Sequence, residues 1–101
     1  MDVNFELGDL KFVWDSEKAE INWQKHRINF EDAALVFLDE NRIDDFDENH
    51  SDFEDRIKVI GRVGKILTVI YVERGEDFRL ISARNATKDE KEEYYEQFNF
   101  L

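Results

Sequence analysis

The sequence predicts an α+β fold, a sheet with helices packed against it, and three observations carry that reading. Three successive stretches, 56–63 (RIKVIGRV), 66–72 (ILTVIYV) and 78–84 (FRLISAR), show the alternation or β-branched content of strands. The connections between them, Gly64-Lys65 and Gly75-Glu76-Asp77, are of hairpin length and carry glycine. Asp15, Asn29 and Thr87 are each placed as helix N-caps, two of them ahead of the strand run and one after it. Strands grouped together and flanked by helices indicate α+β rather than alternating β/α units. With 101 residues, 42% hydrophobic and 14% aromatic, the chain supports one domain, 1–101, around one core.

In chain order, Leu10 to Trp14 alternates and reads as a first strand, the residues before it being expected to fray. Asp15 caps a helix running to Lys25 or His26, with Glu17 favourable to the dipole of its first turn. At ~100° per residue, Lys18, Ala19, Asn22, Trp23, Lys25 and His26 share the core-facing arc, and Glu17, Glu20 and Gln24 face solvent. An inward arc this polar is a first hint of a site, and an Asn22–His26 hydrogen bond is easy at that spacing. Asn29 caps a second helix whose Ala33, Ala34, Val36 and Phe37 point inward. Arg42 to Phe46 reads as a strand and 47–55 as an acidic loop. Of the three strong strands, Ile66 to Val72 is apolar enough to be central and covered on both faces. Thr87 with Glu90 forms a capping box before a last helix, Lys88 to about Phe98. The expected order is β-α-α-β-β-β-β-α, an antiparallel meander with its helices on one face.

Composition excludes several classes. Without Cys there is no disulfide scaffold, no thiolate zinc site and no thiol nucleophile. The longest apolar stretch, Ile66 to Val72, is far below the ~20 residues of a membrane helix. The N-terminal residues contain no cationic segment leading into an apolar run, so the expectation is a cytoplasmic protein without a membrane partner. Nucleophile-elbow, P-loop and dinucleotide fingerprints are absent, and no cofactor is implied. The net charge of −11 argues against a polyanion partner, yet its distribution is uneven. Residues 56–88 hold eight Lys and Arg against three acidic residues, whereas 39–55 hold nine acidic residues against one Arg.

The basic block contains Arg79 and Arg84, whose planar forks suit phosphate. Strict alternation sets Phe78, Leu80 and Ser82 on one face and Arg79, Ile81 and Ala83 on the other, with Arg84 back on the face of Phe78. The two arginines then converge only through strand twist, and pairing with nearby carboxylates is the competing explanation. Lys25 and His26 end the first helix, as an electrostatic stabiliser and a proton-transfer group or as a dipole-compensating helix end. His50 with Asp47, Asp52 or Asp55 is a conceivable metal set without any fixed ligand spacing, so a solvated acidic loop is the simpler reading. Glu54 and Arg56 adjoin a strand start and either serve a site or pair with each other.

The run Trp14 to Phe37 resembles the opening signature of the BrnT family, W-D-x-x-K-x-x-x-N-x-x-K-H-x-I-x-F-E-x-A. It matches at Trp14, Asp15, Lys18, Asn22, Lys25, His26, Ile28, Phe30, Glu31 and Ala33. H-S-x-x-E-D-R follows at His50 to Arg56, I-G-R at Ile60 to Arg62, and R-x-I-S-A-R-x-A-T at Arg79 to Thr87, with the Ile70 to Gly75 motif between. The resemblance spans about residues 10–96 and departs at Arg27, where the family has Gly, and at Asn85, where it has a cation. It implies a RelE-like fold with a curved antiparallel sheet. It also implies a ribonuclease toxin of a type II toxin–antitoxin system that cuts RNA without metal and arrests translation. The partner implied is a BrnA-like ribbon-helix-helix antitoxin, through which alone the protein would meet DNA. Carried over by position, the catalytic candidates are Lys25, His26, Glu54, Arg56, Arg79 and Arg84. Arg79 and Arg84 would carry the phosphate charge, Lys25 would support them, and His26 or Glu54 would move the proton. The alternative is a catalytically weak toxin-like module that acts by binding the antitoxin and tuning repression.

Overall fold

The computed structural model describes residues 1–46 and 55–99. Its strands are β1 (Asp2–Leu7), β2 (Leu10–Asp15), β3 (Ile43–Phe46), β4 (Ile57–Val63), β5 (Lys65–Arg74) and β6 (Asp77–Asn85). Its helices are α1 (Ser16–His26), α2 (Phe30–Ala34) and α3 (Lys88–Glu96), with a 3-10 turn over Leu35–Leu38 after α2. The strands form one sheet in the order β1-β2-β6-β5-β4-β3. The α+β class and the C-terminal meander stand as expected, and three features differ.

First, residues 2–7 do not fray. They pair antiparallel with β2, from Asp2 opposite Asp15 to Leu7 opposite Leu10, around a turn in which Gly8 takes a φ of +58°. Val3, Phe5 and Leu7 pack on the core, and the terminal ammonium meets Asp15 at 3.2 Å. The alternation in VNFEL was a genuine strand signal whose partner is its own hairpin mate. Second, the sheet is mixed, because β2 runs parallel to β6 through Lys11–Asp77, Phe12–Phe78 and Val13–Arg79. Third, the helices occupy both faces. One face carries α1, α2 and the 3-10 turn over Phe12, Trp14, Val59, Leu67, Val69, Tyr71, Leu80 and Ala83. The other carries α3, whose Tyr94 packs with Ile60, Ile66 and Ala86. β5 is thus covered on both sides where α3 reaches, as its apolar sequence requires.

Aromatic packing centres the larger core. Phe37 meets Phe12, Tyr71 and Phe78 at ring-centroid distances of 5.0, 4.9 and 5.0 Å, and Trp14 meets Phe30 edge-on at 5.6 Å. The 3-10 turn lies directly on β4. A Cβ at Gly61 would stand 2.6 Å from the Val36 Cγ1 and 3.3 Å from its carbonyl oxygen. Gly61→Ala is therefore expected to destabilise by about 1–3 kcal/mol through overpacking, read as a lower urea midpoint at unchanged slope.

At the C-terminus of α1, Arg27 adopts a left-handed φ of 56° and its amide donates to the Trp23 carbonyl at 2.8 Å. That is the conformation a helix-ending glycine adopts without strain. Here the guanidinium instead lies over the Trp23 ring, 5.5 Å from its centroid. Trp23 is 40% exposed and lies off the inward arc that the sequence assigns it to. No described helix is long and apolar enough to cross a membrane.

Candidate functional site

The site is organised by a break in β6. Ile70 faces Ser82 and Tyr71 faces Leu80, so β6 carries an additional residue at Ile81. The bulge inverts the side-chain alternation beyond it. Ala83 falls on the α1 face with Leu80, and Arg84, opposite Thr68, falls on the same face as Arg79, opposite Val72. The expectation from strict alternation, which set the two arginines on opposite faces, is corrected by that one residue. The bulge rather than twist puts them on one face, opposite β5 positions four residues apart.

Asn22 fixes α1 to this break. Its Nδ2 donates to the carbonyls of Ile28 (3.0 Å) and Ala83 (2.9 Å), and its Oδ1 accepts from the Ala83 amide (3.0 Å). β2 pairs with β6 only as far as Arg79, so the buried Asn22 amide does for Ala83 what a neighbouring strand would do. The anticipated Asn22–His26 pair does not form, because these backbone groups take the amide instead.

Lys25 and His26 nonetheless reach the bulge. Together with Lys18, Ile21, Asn22, Ile81 and Ser82 they line a recess of about 160 Å³. Lys25 is exposed and His26 half-buried. Lys18 and Ser82 were not among the candidates. The signals were present, Lys18 in the helix arc and Ser82 in the strand motif, but only the bulge brings them together.

On the open part of the other sheet face, both arginines have carboxylate partners. Arg79 Nη2 meets the Asp2 carboxylate at 3.2 Å, a contact that β1 supplies. Arg84 binds Glu90 through both terminal nitrogens, at 2.7 and 3.1 Å. Glu90 also accepts from the Thr68 hydroxyl (3.0 Å) and the Thr87 amide (2.8 Å), and lies 3.3 Å from Lys58 Nζ. Burial alone would raise the Glu90 carboxyl, but Arg84, the Thr87 amide and the Thr68 hydroxyl outweigh it and hold its pKa at about 2. The capping box read from the sequence is therefore real and has a second role, as counter-ion to Arg84.

Arg56 lies half-buried just before β4, in alternation with Lys58 on the arginine face. Glu54 and His50 lie outside the described residues, and so does the His50 metal set. Among the described residues no three His, Asp or Glu side chains converge as metal ligands would. A further carboxylate, Asp39, ties the loop before β3 to α3. It accepts from the Tyr94 hydroxyl at 2.6 Å and from the amides of Arg62 and Asn41. Burial opposes ionisation of Asp39, yet these donors keep its pKa below the usual carboxylate range.

The arrangement presents cationic and imidazole groups on either side of one strand bulge, a constellation suited to an anionic substrate. The family model described as the ribonuclease toxin BrnT of type II toxin–antitoxin systems matches residues 14–90. Those residues include Lys25, His26, Arg56, Arg79, Arg84 and Glu90, whereas β1 lies outside them. The crystal structure of the Brucella abortus ribonuclease toxin BrnT is similar, with 26% identity and a TM-score of 0.56. The similarity covers 74% of this chain and 94% of that one. No curated protein gives a significant match.

Proposed function

This chain belongs to the family of BrnT ribonuclease toxins of type II toxin–antitoxin systems, and on that premise we propose that it is a metal-independent endoribonuclease of the cytoplasm. In this reading it cuts RNA to arrest translation and is held in check by a ribbon-helix-helix antitoxin, through which it meets DNA.

The observation that carries the reading is the β6 bulge. It sets Lys25 and His26 beside Ile81–Ser82 while placing Arg79 and Arg84 on one face at either side of it along the strand. In the proposed reaction the RNA 2′-oxygen attacks the adjacent phosphorus, forming the 2′-O–P bond as the P–O5′ bond breaks. A base removes the 2′ proton and an acid protonates the departing 5′-oxygen. Imidazole exchanges protons near neutrality, which favours His26 for one of these transfers; Glu54 remains the other candidate. In this proposal Arg79 and Arg84, with Arg56 on the same sheet face, carry the charge of the RNA phosphates, and Lys25, next to His26, supports the charge that builds on the phosphorane.

Incubation with RNA in EDTA tests this. Cleavage leaving 2′,3′-cyclic phosphate ends is expected, reduced on the order of 10²-fold or more in the Arg79→Ala/Arg84→Ala variant. Because Arg84 also holds Glu90, His26→Ala provides a second variant outside that network, and circular dichroism checks that both fold. Undiminished cleavage in both folded variants would remove these residues from the site.

One observation favours the second reading, a binding module that acts through its antitoxin. Both arginines are already engaged by carboxylates, Arg79 by Asp2 and Arg84 by Glu90. If that engagement is permanent, the double variant leaves growth unchanged on expression without antitoxin, whereas a ribonuclease loses its arrest.

A further inference from the structure

Lys18, Ile21, Asn22, Lys25 and His26 occupy one stripe of α1, with the i, i+3, i+4, i+7, i+8 spacing of a single helix face. With the bulge residues Ile81 and Ser82 they wall the recess described above. We propose that this recess is a phosphate subsite for single-stranded RNA, with Lys18 as its cation and the Ser82 hydroxyl as its neutral donor. The proposal rests on the ribonuclease reading and adds to it where the strand runs, along α1 away from the Lys25–His26 end.

Charge is the first argument. The chain has 25 Asp and Glu, yet among the described residues none lines this recess. Two larger recesses are acidic, one with Glu92 and Glu96 at the end of α3, the other with Asp9, Glu73, Glu76 and Asp77 at the hairpin turns. Among the described residues, Lys18, Lys25 and His26 form no ion pair, whereas Lys58, Arg79 and Arg84 do. Among the described residues the recess thus collects basic groups without counter-ions, in a strongly acidic protein.

The second argument is the use of donors. Asn22 lines the recess but its amide is spent on Ile28 and Ala83, so it is a wall. Lys18, Lys25, His26 and Ser82 are left to meet a ligand. Ile21, 57% exposed, and the half-buried Ile81 form apolar shoulders that a ribose or base can cover.

Spacing is the third. Seven residues of helix separate Lys18 from Lys25, about 10 Å at ~1.5 Å per residue. Two cations that far apart along one helix can meet different phosphates of a single strand, one at Lys18 and another at Lys25.

The test is the fluorescence anisotropy of a short labelled 2′-O-methyl RNA, which lacks the attacking hydroxyl and reports binding alone. Lys18→Gln is expected to weaken binding several-fold and to reduce the slope of log K against log salt by about 0.7, the loss of one phosphate contact on a single strand. Ser82→Ala should weaken binding without changing that slope, since a hydroxyl releases no counterion. Lys91→Gln, on the exposed side of α3, should change neither. Wild-type affinity and slope in Lys18→Gln, or no binding by the unmodified protein at low salt, would overturn the subsite. Cleavage of ordinary RNA, measured in parallel, keeps the two readings apart. Lys18-dependent binding without cleavage removes the reaction and leaves the subsite. Cleavage with an unaltered Lys18→Gln slope does the reverse.

Discussion

Asn22→Ala is expected to lower the stability of the protein by about 2–4 kcal/mol. The side chain is 5% exposed and all its hydrogen-bonding capacity but one acceptor lone pair goes to backbone. Truncation strands the Ile28 carbonyl and both polar groups of Ala83, each of which costs about 1–3 kcal/mol when left buried and unpaired. Water entering the new space recovers part of this, so the total stays below the sum. For a domain of this size each kcal/mol shifts Tm by about 4–8 °C, so the variant should melt about 8 °C or more below the wild type. Asn22→Asp should be worse than Ala near neutral pH. It keeps the acceptor for the Ala83 amide but turns the donor into an oxygen facing two carbonyls, and burying a carboxylate there adds a desolvation cost. Its deficit should shrink as pH falls and the carboxyl regains a proton that can be donated. Urea unfolding of the three proteins at two pH values measures this. If Asn22→Ala unfolds within ~0.5 kcal/mol of wild type, a range usual for surface substitutions, the amide does not hold α1 to β6. The prediction reaches function because the same helix stripe carries Lys18, Lys25 and His26, so a loosened α1 alters the recess along with the fold.

What the sequence disclosed and what it concealed divide along a physical line. Local signals translated directly. The Asp15, Asn29 and Thr87 caps each accept from the amide three residues on, as their positions promised. The strands of the meander follow their alternation, with glycine at the β4–β5 and β5–β6 turns. What depended on long-range pairing did not show. The anchors of β1 are of this kind, Asp2 with Arg79 and the terminal ammonium with Asp15, although its alternation and its hairpin turn at Gly8 are local. The parallel β2–β6 pairing has no sequence signature, and without it the role of Asn22 cannot be placed. The bulge at Ile81 was equally hidden, since ISA fits an unbroken strand as well as a broken one. One inserted residue then reassigns every side chain beyond it, and with them the arginine face. The residue types of the site were legible as Lys25, His26, Arg79 and Arg84, but their arrangement was not. Glu90 shows the same division: its capping role is local and was visible, whereas its bond to Arg84 requires α3 to cross to the opposite face.

Acid should weaken the protein chiefly through Glu90, and the sign follows from its partners. Its carboxyl titrates at about 2 in the folded protein against an ordinary value of 4.5. Burial pushes that value up, and the Arg84 fork, the Thr87 amide and the Thr68 hydroxyl overcome it. Between those values the unfolded chain binds the proton and the folded one does not, so stability rises with pH across the window. The contribution is complete above about pH 4.5 and is lost as pH falls towards 2. At about 1.4 kcal/mol per pH unit it amounts to roughly 3 kcal/mol at most. Asp39 adds in the same direction, since its carboxylate is held below its ordinary range by Tyr94 and two amides. Glu90→Gln should therefore flatten the acid limb without abolishing it, and Asp39→Asn in addition should flatten it further. At pH 7 Glu90→Gln should itself be destabilising, because Arg84 and Lys58 then lose the part-buried carboxylate they share. Urea midpoints from pH 7 to pH 3 read both effects. If the Glu90→Gln curve runs parallel to the wild type through that range, Glu90 is not the group whose protonation releases α3 from the sheet.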